Sequence, residues 1–402
     1  MYIWFYCLFV VALTTCQPEL QHTGHQTFNT VIDSTSVITG AERVAVYQPK
    51  LKGKRVALVV NQTSMIKDKH LVDSLLKLGI DIKVVFAPEH GFRGKADAGE
   101  KVSDFRDPGT GLPIISLYGK KKKPSTADLA NIDIVVFDIQ DVGVRFYTYI
   151  STLHYIMEAC AEQKKPLIVL DRPNPNAYYV DGPMLDSAYT SFIGMHAVPV
   201  VYGMTIGEYA QMINGEGWLP LKSRCSLTII ECKNYNHNTY YELPVKPSPN
   251  LPNIRSVLLY PSICFFEGTT LSLGRGTNKQ FQVIGHPKLI SDFSFIPEPN
   301  EGAQDPPLKG QMCYGSDLST VTTGSIIHAK KLNISYLIDY YKKMSAVNEK
   351  FFLDNNFIDK LAGSDKLRKQ ISSGMSEDEI RKTWKSGLES FAEIRSKYLI
   401  YR

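Results

Sequence analysis

Arg55–Val60 reads RVALVV and Asp133–Ile139 reads DIVVFDI. Both are short, nearly unbroken apolar runs rich in β-branched residues, the pattern of strands buried on both faces of a sheet. Working outward, Asp81–Ala87 (DIKVVFA), Pro113–Tyr118 and Pro166–Leu170 (PLIVL) repeat it. Helical stretches lie between them: His70–Leu78, with Leu71, Leu75, Leu76 and Leu78 on its apolar face, and Phe146–Glu162. Strands alternating with helices predict an α/β fold, Rossmann-like, with a mostly parallel sheet covered on both sides. The first strand runs into Asn61-Gln62-Thr63, with no Gly-x-Gly-x-x-Gly and no Walker motif. Nicotinamide and flavin chemistry is thereby disfavoured, and no cofactor is expected.

At 402 residues the chain suits two domains. Pro244–Pro252 (PVKPSPNLP) reads as a linker or a rigid crossing strap. It divides an expected catalytic domain, residues 41–252, from a smaller α+β auxiliary domain, residues 253–402. In the second part the pattern predicts a strand at Phe281–Ile284, a helix at Ser335–Met344 and a terminal helix at Glu379–Tyr398. Ser376 and Glu379 are spaced as a capping box before that last helix, as are Thr205 and Glu208 earlier.

Residues 1–15 are almost wholly apolar and uncharged and end in Leu13-Thr14-Thr15-Cys16. The run is too short for a membrane span and reads as an export signal. Its ending resembles a bacterial lipoprotein signal, which makes Cys16 the expected lipidation site; a plain cleaved signal leaves Cys16 incidental. Residues 17–40, rich in Gln, Thr and Ser, form an expected tether. The protein is then periplasmic or an outer-membrane lipoprotein, touching a membrane only through that anchor. The remaining cysteines, Cys160, Cys225, Cys232, Cys264 and Cys313, show no metal-like spacing. Cys225 and Cys232 are near enough in sequence to bridge, but isolated buried thiols are the better expectation. The net charge of +5 is mild, and Lys120–Lys123 reads as a solvated loop. With no basic helix and no aromatic interleaving, a nucleic-acid partner is not expected.

Ligands of open parallel sheets bind beyond the carboxyl ends of the strands, and polar residues crowd those ends. The second strand is followed by Pro88-Glu89-His90-Gly91-Phe92-Arg93, the fourth by Gln140-Asp141-Val142-Gly143-Val144-Arg145, and the fifth by Asp171-Arg172-Pro173-Asn174. Each has a plainer reading. Glu89 and Asp141 can cap following turns, His90 can be structural, and Asp171 with Arg172 can pair to hold the Pro-Asn-Pro turn. Three such ends together point instead to a site, with Glu89, Asp141 and Asp171 as candidate acids. No Gly-x-Ser-x-Gly elbow and no cysteine in a nucleophile context is present. Carboxylates, Asn, Tyr and Arg remain, a set that suits sugars: amides and phenols bond hydroxyls, rings cover pyranose faces, and carboxyls do acid–base work.

Several stretches carry a family resemblance: Asn61-Gln62-Thr63, Pro88–Phe92, Asp138–Tyr149, Asp171–Pro175, Gly203–Glu208, Phe266-Glu267-Gly268-Thr269 and Gly274-Arg275-Gly276-Thr277. Together, and in this order, they resemble the bacterial exo-β-N-acetylmuramidase family across about residues 40 to 402. The resemblance implies a Rossmann-like domain with an auxiliary domain. It also implies a cleft holding a glutamate that matches Glu89, and release of N-acetylmuramic acid from non-reducing ends of peptidoglycan fragments, MurNAc-GlcNAc saccharides among them. Muramic acid carries a lactyl carboxylate, which a guanidinium fork recognises at two points. Arg145, Arg172 and Arg275 are the candidates, with Arg145 favoured; Arg275 can alternatively serve a Gly-Arg-Gly turn. Asn61, His90, Tyr147, Tyr149, Asn174 and Glu267 complete the candidate substrate-binding set. Two alternatives stay open: a non-catalytic muropeptide-binding lipoprotein, and a cell-wall amidase or esterase.

Overall fold

The computed structural model describes residues 36–93 and 104–401, together with the first residue. The export signal, Cys16 and most of the expected tether lie outside the described residues. From Val37 the chain forms one compact unit. Ile38 bridges Lys233 and the Gly40 N–H donates to Asp171 O at 2.8 Å, so the last residues assigned to the tether belong to the fold.

The main sheet has seven strands: β1 (Arg55–Val60), β2 (Asp81–Ala87), β3 (Phe105–Arg106), β4 (Pro113–Ser116), β5 (Ile134–Asp138), β6 (Leu167–Leu170) and β7 (Leu227–Ile230). They lie in the order β3-β4-β2-β1-β5-β6-β7, and every pair is parallel except β3 with β4. The parallel strands therefore run outward in both directions from β1, the doubly wound arrangement. β7 and the two-residue edge strand β3 add to the strands expected from the sequence.

Alternate residues of β1 serve two cores. Val56, Leu58 and Val60 pack on one face with Tyr47, Leu71, Val72 and Leu75, while Ala57 and Val59 pack on the other with Leu153, Ile156 and Met157. The helix after β1, Leu71–Lys77, and the helix after β5, Tyr149–Glu162, thus leave on opposite faces. The crevice of such a sheet opens at the carboxyl ends of the strands where the crossovers diverge.

The second region holds a three-stranded antiparallel sheet, β8 (Val283–His286), β9 (Phe293–Phe295) and β10 (Cys313–Asp317), in the order β8-β10-β9. Helices include Ile254–Ile263 and Ser335–Ala346. Most buried apolar residues of this region join the core that covers the Leu153 face of the main sheet; Leu258, Val283, Ala303, Cys313 and Tyr401 do not. β8 starts later than expected because Phe281 has a left-handed backbone, φ 56°. The expected terminal helix is two helices, Glu377–Lys382 and Lys385–Ser396. They break where Thr383 Oγ1 donates to Ile380 O and Trp384 is buried. Both capping boxes form, at Thr205/Glu208 and Ser376/Glu379. The Pro244–Pro252 segment is a strap without regular structure. The Pro247 carbonyl accepts from Tyr147 Oη at 2.7 Å and from Gln62 Nε2 at 3.1 Å. Cys160, Cys225, Cys232, Cys264 and Cys313 are free, buried thiols. No helix among the described residues is long and apolar enough to cross a membrane.

Candidate active site

β2 ends at Ala87, and Pro88-Glu89 carries the chain out of the sheet. His90 and Gly91 then both adopt left-handed conformations, φ 69° and 73°. For histidine that backbone is uncommon, and the turn leaves Glu89 standing at the strand end. Its Oε2 accepts from Thr148 Oγ1 at 2.7 Å. Tyr118, just beyond β4, also bonds the Glu89 carboxyl; burial, with the adjacent carboxylate, pushes the Tyr118 hydroxyl well above the usual phenol range.

Glu89 lines a cavity of about 200 Å³. Tyr147, Tyr149, Tyr260 and Phe281 form aromatic walls, and Ser248 of the strap closes one side. Glu267 and Arg275 enter from the second region as an ion pair: Arg275 Nε donates to Glu267 Oε1 at 3.0 Å and Nη2 reaches the same oxygen. Burial works against the Arg275 charge, but Glu267 raises its pKa further. Its guanidinium also lies 5.1 Å from the Phe281 ring centroid. Arg275 uses Nε and Nη2 on Glu267, so the Nη1 edge is not engaged by that carboxylate. Phe281 and His90 are both strained non-glycine residues on the cavity wall, a concentration typical of functional sites.

Of the residues expected from the sequence, Glu89, His90, Tyr147, Tyr149, Glu267 and Arg275 meet at this cavity. The others stand behind it or away from it. Asn61 is buried, donates to Tyr149 Oη at 2.9 Å and fixes the turn after β1 through Thr63. Asp141 accepts from Gly143 N at 2.7 Å and from Tyr202 Oη, while its Oδ1 has no hydrogen-bond partner among the described residues. Burial raises its pKa to about 6 against those donors.

Asp171 is also buried, which raises its pKa to about 6. Its carboxyl accepts from Arg172 N, Thr205 Oγ1, Gly207 N and Tyr401 Oη, at 3.0, 2.7, 2.8 and 2.6 Å. It ties the end of β6 to a helix start and the chain terminus. The alternative in which Asp171 and Arg172 pair with each other is not realised. Arg172 instead grips Asp138, Nε to Oδ1 at 2.6 Å and Nη2 to Oδ2 at 2.9 Å, with both side chains buried.

Asn174 Nδ2 donates to Met204 O and its Oδ1 accepts from Asn176 N, holding the Pro-Asn-Pro turn. Arg145, the favoured carboxylate reader, is fully buried. Nη1 donates to Pro183 O and Val198 O, and Nη2 to Leu361 O, at 2.8, 2.7 and 2.9 Å. Those carbonyls take the fork a carboxylate needs. Glu208 is structural as its capping-box spacing indicates, and it also contacts His237 at 2.8 Å.

Tyr118 and Thr148 were not singled out from the sequence. Tyr118 sits by the same rule that finds Glu89, just beyond the end of β4, whereas Thr148 lies further on, at the N-cap of the helix Tyr149–Glu162 that follows β5. Phe192, Tyr260 and Phe357 also line the cavity, but they come from distant segments with no local signal.

The sequence matches the model of Exo-beta-N-acetylmuramidase NamZ, N-terminal, over residues 56–255, and that of Exo-beta-N-acetylmuramidase NamZ, C-terminal, over residues 258–401. It is 38% identical over 374 residues to the peptidoglycan beta-N-acetylmuramidase NamZ of Bacillus subtilis (strain 168), covering 88% of this chain and 89% of that one. Two crystal structures of DUF1343 family proteins from Bacteroides fragilis NCTC 9343 are similar. One is 46% identical, with TM-score 0.84 and 92% of this chain and 99% of that chain covered. The other is 28% identical, with TM-score 0.74 and coverage of 91% and 99%.

Proposed function

The chain belongs to the exo-beta-N-acetylmuramidase NamZ family, and from that premise we propose that this glycoside hydrolase releases N-acetylmuramic acid from the non-reducing ends of peptidoglycan fragments. The observation that carries the reading is the Glu89 carboxyl, held by Thr148 and facing an aromatic-walled cavity with a paired arginine.

Glu89 is the acid. Its proton passes to the bridging oxygen as the bond from that oxygen to the anomeric carbon breaks; water adds its hydroxyl to that carbon, and the proton water gives up restores the Glu89 carboxyl through solvent. Tyr147 and Tyr149, whose hydroxyls point to Pro247 O at 2.7 and 3.3 Å, present rings as platforms for the pyranose. Arg275 replaces Arg145 as the reader of the lactyl carboxylate, because it lines the cavity whereas Arg145 is consumed by main-chain carbonyls.

Incubation with MurNAc-GlcNAc tests the reading. Free N-acetylmuramic acid is the expected product. Disaccharide that binds and stays intact indicates a capture protein, and the absence of both binding and cleavage leaves the amidase or esterase.

The apolar leader supports export, and Leu13-Thr14-Thr15-Cys16 supports lipidation at Cys16. A diacylglyceryl-modified Cys16 peptide in the membrane fraction, read by mass spectrometry, is the expected result. An unmodified peptide beginning after Cys16 contradicts it.

A further inference from the structure

Cys160 and Cys225 come from distant parts of the chain and meet at the amino-terminal ends of β6 and β7, on the side of the main sheet away from the Glu89 cavity. Cys160 stands in the last turn of the helix Tyr149–Glu162, and its carbonyl accepts from Lys165 N at 2.8 Å as the chain turns into β6. Cys225 lies just before β7, and its neighbour Ser226 accepts at 2.8 Å from the N–H of Leu167, the first residue of β6. Asn214, in the last turn of the helix Ile206–Gly215, clamps the Cys225 backbone. Its Oδ1 accepts from Cys225 N at 2.9 Å and its Nδ2 donates to Cys225 O at 2.8 Å. Both side chains are buried in the same core, and the two thiols are in hydrogen-bond contact.

The other described thiols face oxygen. Cys232 Sγ meets Asp171 O at 3.3 Å, Cys264 Sγ meets Glu267 Oε2 at 3.8 Å, and Cys313 Sγ meets Gln311 O at 3.6 Å. Cys225 and Cys232, the pair close in sequence, lie before and after β7. An extended segment of that span holds them roughly 20 Å apart, far beyond the Cα separation of about 7 Å that a disulfide tolerates. Cys160 with Cys225 is the pair that the fold presents instead.

We propose that Cys160 and Cys225 form a cross-linking site, joined as a disulfide when the protein folds in the presence of a disulfide oxidant, the chemistry of an export compartment. The compartment belongs to the export reading above; the reaction between the two thiols does not depend on it. One cysteine thiolate attacks a sulfur of the oxidant's disulfide and releases one thiol. The other cysteine thiolate then attacks the mixed disulfide and releases the second. The oxidant takes up two electrons, and the two cysteine protons end on the two released thiols. The Cys225 contact and burial both push the Cys160 thiol up, so exchange runs through the open chain, during folding or local opening, and not in the packed core. Once closed, the bond anchors the far end of the helix whose first residue, Tyr149, lines the cavity.

The test holds the purified protein with oxidised glutathione in urea just below its unfolding midpoint, dilutes it, blocks the remaining thiols with iodoacetamide and maps peptides without reductant. Peptides joined through Cys160 and Cys225 are the expected product. A cross-link between such distant positions constrains mainly the unfolded chain, so the oxidised protein should unfold roughly 5 °C above the reduced one. Cys160→Ala and Cys225→Ala should each lose both the joined peptides and that rise. The rise is read between oxidised and reduced samples of one variant, so the cost of the substitution itself cancels. Both cysteines found alkylated, either one joined to a different cysteine, or a joined protein that unfolds below the reduced one overturns the proposal.

Discussion

Thr148 is the N-cap residue of the helix Tyr149–Glu162, yet its hydroxyl makes no cap bond and donates instead to Glu89 Oε2 at 2.7 Å. An N-cap threonine ordinarily satisfies a free helix N–H. Here the group is diverted to a carboxyl carried by a different strand, so the end of β2 and the helix after β5 are coupled at the cavity.

That diversion separates function from stability. Thr148→Val keeps the shape and removes the hydroxyl. The loss of one hydrogen bond to Glu89, about 0.5–1.5 kcal/mol, is expected to lower kcat/KM on MurNAc-GlcNAc by up to about tenfold. Tm should barely move, because the helix loses no cap. A large fall in Tm with unchanged kinetics in the folded fraction would show the hydroxyl to be structural.

Arg275 is expected to set sugar choice. Arg275→Ala should cut the preference for N-acetylmuramides over N-acetylglucosaminides about ten- to hundredfold, with Arg275→Lys restoring part of it as a point charge without the fork. Ratios of kcat/KM on the two glycosides measure this. An unchanged ratio in both variants moves the carboxylate reader elsewhere.

Arg145 and Arg172 are expected to act on stability. Arg172→Ala strands buried Asp138, at a cost of about 3–5 kcal/mol. Arg145→Ala leaves the Pro183, Val198 and Leu361 carbonyls without this donor, roughly 3 kcal/mol or more in total. Denaturant unfolding reads both losses. Protein that remains folded should keep the wild-type sugar preference, and a lost preference would return either arginine to the recognition role.

These two arginines show where the sequence is legible. Strands buried on both faces leave continuous apolar runs, so β1, β2, β5 and β6 are visible at once. β7, Leu227–Ile230, has only its last residue fully buried and leaves a weaker trace. The strand-end rule finds Glu89, but strand ends also need polar groups to satisfy turns and helix starts. Asp141, Asp171 and Asn174 answer that need and look the same in sequence. Whether a guanidinium faces a ligand or three carbonyls depends on residues far apart in the chain, such as Leu361 for Arg145. No local pattern records that. Arg275 is the converse case, since a Gly-Arg-Gly turn is compatible with a side chain that lines a cavity.

Asp141 makes a pH prediction. Burial raises its folded pKa to about 6, with the Tyr202 hydroxyl and the Gly143 and Val142 N–H groups opposing, whereas an unfolded aspartate titrates near about 3.9. Between these values the folded state holds the proton and the unfolded state has lost it, so stability falls as pH rises. The loss is roughly 3 kcal/mol and is complete above the folded pKa. Asp141→Asn carries no such charge. Its stability relative to wild type should therefore improve from pH 4 to about pH 6 and then level off. A difference that stays flat with pH, or runs the other way, would show that Asp141 is ionised in the fold throughout.

The central claim is that Glu89 delivers the proton to the leaving oxygen. The direct measurement is release of N-acetylmuramic acid from MurNAc-GlcNAc by Glu89→Gln beside the wild type, with Tm recorded for both. The account predicts a fall in kcat of at least about two orders of magnitude, the usual worth of acid catalysis, with Tm and disaccharide binding close to wild type. A Glu89→Gln protein that releases the sugar at near wild-type rate contradicts it.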